Sequence, residues 1–272
     1  MRKFTRLAVG AALASLALAA PAAQATPPAP PYADFAGCPT PAEDPAALTC
    51  TKVVFPNGHI QFGKKNVPVT NPIVLRGAIQ QITGEFVHTS EGGIVPVQQT
   101  LDGGLIGITG FQWLDELLST KDKLKVFVTV EQAGQPAGLE EFPISLPVKL
   151  HLQNPLLGSN CYVGSNAAPI QLSLGTGTTS PPLPNQPITG KKAAKFAPEP
   201  ERPEVLTAKG GTLVDNAFAT PAANGCVLKL GPFGIPIDEV VDAAAGLPAA
   251  AGTNEAVLGY DFSIVSQEVV FP

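Results

Sequence analysis

Few residues in this chain are equipped to do chemistry. Four cysteines (Cys38, Cys50, Cys161, Cys226) and three histidines (His59, His88, His151) are spread over 272 residues. Cys161 draws the eye first: it lies in "LLGSNCYVGSN" (Leu156–Asn166), between two copies of Gly-Ser-Asn. A thiolate on so tight a turn could be a nucleophile, but it would need a base beside it. His151, the nearest histidine in sequence, falls on the polar side of an alternating pattern whose other side is aliphatic. An even cysteine count in an exported chain points instead to disulfides. Three pairings are possible, and the sequence leaves the choice open. Pairing Cys38 with Cys50 closes a short loop and Cys161 with Cys226 a long one, worth about 3 and about 4 kcal/mol in loop-closure entropy. Cys161 is expected to be spent on a staple to Cys226.

Other chemistries find little footing. No Gly-x-Ser-x-Gly elbow is present, so a serine hydrolase would need a dispersed Ser/His/Asp site with His59, His88 or His151 as base. The histidines lack the i, i+4 spacing of metal ligands and the cysteines lack C-x-x-C. "DGGLIGITG" (Asp102–Gly110) has neither the lysine nor the glycine spacing of a phosphate cradle, and reads as a turn entering a strand. The acid pairs Glu140-Glu141 and Glu199-x-Glu201 stand at loop ends, where carboxylates are simply solvated. No catalytic residue, cofactor site or metal site is assigned.

The N-terminus sets the compartment. Arg2, Lys3 and Arg6 precede an apolar stretch, Leu7–Ala20, and Ala23-Gln24-Ala25 supplies a small-x-small cleavage pattern. Residues 1–25 read as a secretory signal peptide cleaved after Ala25, the apolar stretch being shorter than the roughly 20 residues of a membrane span. Two anchoring motifs are set aside. Phe35-Ala36-Gly37-Cys38 resembles a lipidation box but lies well past the apolar segment, and "LPNQPITG" (Leu183–Gly190) resembles a sortase signal without its spacing or tail. The chain is expected to be extracellular, with no transmembrane segment after the signal.

Charge narrows the partners. The whole chain carries 17 basic and 22 acidic residues, a net of −5. The signal holds three of the basic ones and no acid, so the mature chain carries 14 against 22, a net of −8. Such a surface repels nucleic-acid phosphates. The basic cluster Lys191, Lys192 and Lys195 is followed at once by Glu199, Glu201 and Glu204, the mark of a solvated loop. Nucleic acid is therefore not an expected partner.

Most of the mature chain alternates at period two. Leu124, Val126, Val128 and Val130 form one face of a strand, and Ile144, Leu146, Val148, Leu150 and Leu152 form another. Pro143 and Pro147 on the opposite face of the second strand predict a sheet edge or a bulge. Further strands are expected at Lys52–Phe55, Ile73–Ile82, Glu85–Thr89, Ile170–Leu174, Val227–Leu230 and Val257–Val270. Two short helices are expected, one in "FQWLDELLSTKDKL" (Phe111–Leu124) and one in "IPIDEVVDAAAGLP" (Ile235–Pro248). The domain plan is a Pro-rich leader at 26–37, then one β-rich domain over 38–272 with an exposed Pro-rich loop at 176–204. The expected fold is mainly β, an antiparallel sandwich-like structure with two short helices and two disulfides.

The Ala-rich signal, "NPLLGSNCYVGS", "LGTGTTSPP", "DNAFATPAANGC" and the Gly246–Pro248 turn before "AAAGTNEAVL" resemble secreted proteins of high-GC Gram-positive (actinobacterial) origin, over roughly residues 140–260. The resemblance implies an exported, β-rich protein and transfers no activity or site residue. The leading functional expectation is an exported envelope or extracellular protein that acts by binding or as structure. An alternative is a carrier of an apolar small molecule or envelope lipid in a β cavity, since the strands are unusually aliphatic. A secreted hydrolase is the third.

Overall fold

A computed structural model describes residues 27–112, 124–139 and 142–272. Residues 1–25, with the expected cleavage after Ala25, and the acid pair Glu140-Glu141 lie outside them. In chain order the strands are β1 (Thr49–Phe55), β2 (Gly58–Phe62), β3 (Lys65–Pro68), β4 (Ile73–Ile79), β5 (Phe86–Val87), β6 (Gly93–Val95) and β7 (Gln98–Leu101), followed by helix α1 (Gly104–Thr109). Next come β8 (Val126–Gln132), β9 (Ile144–Gln153), β10 (Tyr162–Val163), β11 (Ile170–Leu174), β12 (Ala197–Pro198), β13 (Leu206–Asp215) and β14 (Ala223–Asn224). The hairpin β15 (Val227–Leu230) and β16 (Phe233–Pro236), helix α2 (Asp238–Ala245), β17 (Glu255–Ser266) and the single turn α3 (Gln267–Val270) complete the chain.

Alternation of apolar and polar residues sorts these strands into two facing antiparallel sheets. One runs β12-β13-β17-β1-β4-β5, with β2 and β3 continuing from β17 and β6 beside β4; the other runs β14-β10-β9-β8-β7, with β11 also on β9. Val126, Val128, Leu146, Val148, Leu150 and Leu152 of the second sheet are all at most 4 % exposed. They share one buried cluster with Val53, Phe55, Leu75, Leu213 and Leu258 of the first. Removing aliphatic surface from water on this scale is the main term favouring the fold. Cys161–Cys226 is buried in the same cluster.

The first sheet has a second, smaller core on its other face. Val265, Cys50 and Ala78 stand in one cross-strand row of β17, β1 and β4. Phe35, Cys38, Ala47, Val205 and Val270 cover that row, and the Cys38–Cys50 disulfide ties the covering segment to β1. An ion cluster closes its rim. Arg202 contacts Asp34 Oδ1 at 2.6 Å and Glu199 Oε2 at 2.6 Å, Lys52 also pairs with Asp34, and both cations lie over the Phe35 ring. Glu199 is thus part of a built cluster rather than a merely solvated acid. Burial pushes both carboxyls up, but the hydrogen bonds from Arg202, joined by Lys52 at Asp34 and by Thr207 at Glu199, outweigh it and hold both below their ordinary values.

The structure corrects several expectations. Gly104–Thr109 is a helix, not a turn into a strand: Leu105, Ile108 and Thr109 bury one helical face, and Gly103 and Gly110 take the left-handed backbone at its two ends. Strand β9 is central, flanked by β8 on one side and by β10 and β11 on the other, not a sheet edge. Pro147 is accommodated because β8 stops at Gln132, opposite Val148, so no ladder donor is needed there; the Pro147 carbonyl still accepts from Ala133 N–H at 2.9 Å. The strand expected over Val257–Val270 ends at Ser266. There the buried Gln267 amide turns inward and donates to the carbonyls of Pro39 and Asp44. The helix expected over Phe111–Leu124 falls mostly on residues outside those described, whereas α2 forms with Asp238 and Glu239 in its first turn and a left-handed Gly246 after it.

Residues 176–204 are buttoned to the body by amide side chains. Asn185 Nδ2 donates to the carbonyls of Asn216 and Asn254, and Asn216 Nδ2 donates to the Gln186 carbonyl. Asn254, fully buried, donates to the carbonyls of Phe218 and Ala250 and accepts from Gly63 N–H. Backbone pairs fasten the segment too, Lys191 with Thr212 in both directions, Ala194 N–H to the Lys209 carbonyl and β12 with β13, and the amides add contacts where prolines lack a donor.

The ion cluster sets a pH dependence. Because Asp34 and Glu199 have depressed values in the folded state, their contribution is complete above the ordinary carboxylate range, near pH 4, and is lost as pH falls through the folded values. Arg202→Met should lower stability at neutral pH by about 1–3 kcal/mol. In urea titrations the gap between variant and wild type should close in strong acid. A gap that stays constant across that range would contradict this role.

Candidate functional site

The three histidines occupy three separate places. His59 on β2 faces Glu255 of β17, Nε2 to Oε1 at 3.1 Å, with both side chains about one-third exposed. His88 follows β5. Its Nδ1–H donates to the Thr89 carbonyl at 2.7 Å and its Nε2 accepts from the Gln132 amide at 3.0 Å, which fixes the tautomer. His151 on β9 places Nδ1 at 3.1 Å from Glu131 Oε1 and Nε2 at 3.0 Å from the Ser159 carbonyl. Glu131, His151 and Ser159 have the names of a catalytic triad but not its geometry, because the imidazole meets serine through the main chain. All four cysteines are in disulfides, so Cys161 has no thiolate to offer. Among the described residues no group of three or more His, Cys, Asp or Glu is placed to hold a metal.

Around His151, however, the structure assembles something the sequence does not announce. The buried face of β8 and β9 commits the alternate residues to the outside. Antiparallel register then draws Gln98, Thr129, His151, Tyr162 and Asn224 into one row across β7, β8, β9, β10 and β14. Thr100, Phe127 and Gln153 form the next row, and Glu131 stands opposite Lys149 on the other side.

These side chains hold one another. Gln153 Oε1 accepts from Gln98 Nε2 at 2.8 Å and from Thr129 Oγ1 at 3.0 Å, and Gln153 Nε2 lies 3.4 Å from His151 Nδ1. The His151 and Tyr162 rings stack with centroids 4.3 Å apart. Lys149 Nζ is 5.0 Å from the Tyr162 ring centre and 3.6 Å from Glu131 Oε2, and it donates to Asn166 Oδ1 at 3.0 Å. Burial raises the Tyr162 hydroxyl above its ordinary value, and the Glu131 carboxylate adds to this through its charge and its hydrogen bond. Gln153 and Glu131 both meet the imidazole at Nδ1, and the Ser159 carbonyl meets its Nε2.

A groove of roughly 490 Å³ runs beside this array, between Gln98, Phe127, His151 and Gln153 on one side and Pro155, Gly158 and Lys229 on the other. A larger cleft, roughly 800 Å³, separates residues 83–88 from 135–138. Size does not decide between them. The larger cleft carries Glu85 and Thr83 on its wall, but its His88 and Gln135 side chains are taken by Gln132, Thr89 and the Phe86 carbonyl. The groove at His151 has several polar side chains of fixed direction converging on it, the usual sign of a ligand site.

No protein-family model, curated protein or solved structure matches the chain, so no site residue is transferred to it. The alternation around His151 places that residue on a polar face, but Gln98, Tyr162 and Asn224 come from strands of two to four residues too short to announce themselves.

Glu131→Gln removes the charge that adds to burial in raising Tyr162 and leaves only the weaker amide oxygen as acceptor. In an alkaline absorbance titration, one of the three tyrosines should then ionise at lower pH, closer to the ordinary value of about 10. An unchanged curve would show that Glu131 and Tyr162 do not interact.

Proposed function

We propose that this chain is an exported protein of the cell envelope or extracellular space, and that it acts by binding through the outer face of its second sheet rather than by catalysis. The observation that carries the reading is the array around His151. Its titratable groups are tied to one another, and it contains amides, rings and cations in fixed positions but no activated nucleophile. Two disulfides suit an oxidising compartment. Among the described residues no helix is long and apolar enough to cross a membrane.

The carrier alternative rested on aliphatic strands that could line a space. The buried aliphatic faces of the two sheets pack on each other in one cluster, which favours the binding reading over a carrier. A dispersed hydrolase site would need a serine hydroxyl on a histidine; among the described residues the ring nitrogens of His88 and His151 meet other groups, and His59 meets Glu255 through Nε2.

The test uses the exported protein with envelopes from its producing cells. It should sediment with them, remain unlabelled by a fluorophosphonate probe, and sediment less when Tyr162→Ala is introduced. Probe labelling that disappears in His59, His88 or His151 variants would establish a hydrolase instead. Failure to sediment at all would remove the binding reading.

A further inference from the structure

Resting on that reading, we infer that the groove beside His151 binds a polysaccharide chain, with neutral or acidic sugars favoured over basic ones. The ligand must match what lines the groove. Beyond their mutual bond Gln98 keeps its amide oxygen and one N–H and Gln153 keeps one N–H, a set that suits a hydroxyl that both gives and receives a proton. Neither amide swings freely: each is oriented by the Gln98–Gln153–Thr129 contacts, so its remaining capacity points in a set direction at little further entropic cost. The half-buried Phe127 ring supplies an apolar surface of the kind on which the C–H face of a sugar ring rests.

Charge sharpens the choice. Among the described residues no carboxylate lines the groove, although the chain as a whole is acidic. Lys229 lines it from the β15–β16 hairpin and, among the described residues, makes no ion pair. A cationic amino sugar would meet Lys229 without a counter-charge, whereas a neutral or uronic sugar would not. An apolar lipid would strip water from the amides without replacing their hydrogen bonds. The outer face extends beyond the groove: the row Gln98, Thr129, His151, Tyr162, Asn224, of which Gln98 and His151 line the groove, crosses five strands, about 19 Å at the usual strand spacing, so a polymer can continue along it.

Envelopes from the producing cells serve as the probe, divided into protease-digested, solvent-extracted and mildly periodate-oxidised portions. Periodate cleaves the vicinal diols of sugars. Sedimentation of the exported protein should survive protease and solvent extraction and be lost after periodate. Gln153→Ala and Phe127→Ala, each checked for an unchanged thermal transition, should weaken it by at least about ten-fold. Hexagalacturonate or cellohexaose should compete, and the chitosan hexamer should not. Loss after protease would identify a protein partner, and loss after solvent extraction a lipid. Either result, or survival of binding after periodate, would overturn the polysaccharide while leaving the binding reading intact. Absence of sedimentation from untreated envelopes would overturn both.

Discussion

Everything in this protein hangs on two antiparallel sheets meeting face to face through aliphatic side chains. Val126, Val128, Leu150 and Leu152 can be dry only if β8 and β9 hold the register seen here, because a slip by one residue would turn each of them to solvent. The same constraint determines the outer face. Once those residues point inward, Phe127, Thr129, Glu131, Lys149, His151 and Gln153 must point outward, in rows whose neighbours the register dictates. The candidate site is thus the reverse side of the core.

Two covalent and several polar fasteners protect that register. Each disulfide serves a different core. Cys161–Cys226 sits in the main one, joining the starts of β10 and β15, and so keeps Tyr162 beside His151 and Lys229 beside the groove. Cys38–Cys50 holds the N-terminal cover over the small core, whose rim is the Arg202 cluster. The asparagine contacts at Asn185, Asn216 and Asn254 add to the short backbone pairings, Lys191 with Thr212 and β12 with β13, that the Pro-rich segment makes.

Long, regular elements were legible in the sequence. Ile170–Leu174 and Val227–Leu230 match their strands end to end, β9 matches to a residue, and α2 carried its punctuation openly. Where the pattern is broken locally by something distant, the sequence was silent. Strand β13 hides because Lys209-Gly210 form a bulge between Ala208 and Gly211, and because Gly211 lies under the Tyr260 ring, leaving no side chain to mark the period. Helix α1 hides because three of its aliphatics sit among glycines that suggest a turn. As for the site, only the polar placement of His151 could be read. Its row neighbours come from as far away as Gln98 and Asn224, and only the folded register brings them together.

The proposed binding requires that the outer face of the second sheet be the surface that meets the envelope. Hydrogen exchange, measured by mass spectrometry on the protein free and mixed with envelopes of its producing cells, addresses this directly. Slowed exchange on binding is expected in residues 98–101, 126–132 and 149–163. Protection confined to the larger cleft, residues 83–88 and 135–138, would place the binding surface elsewhere and contradict it.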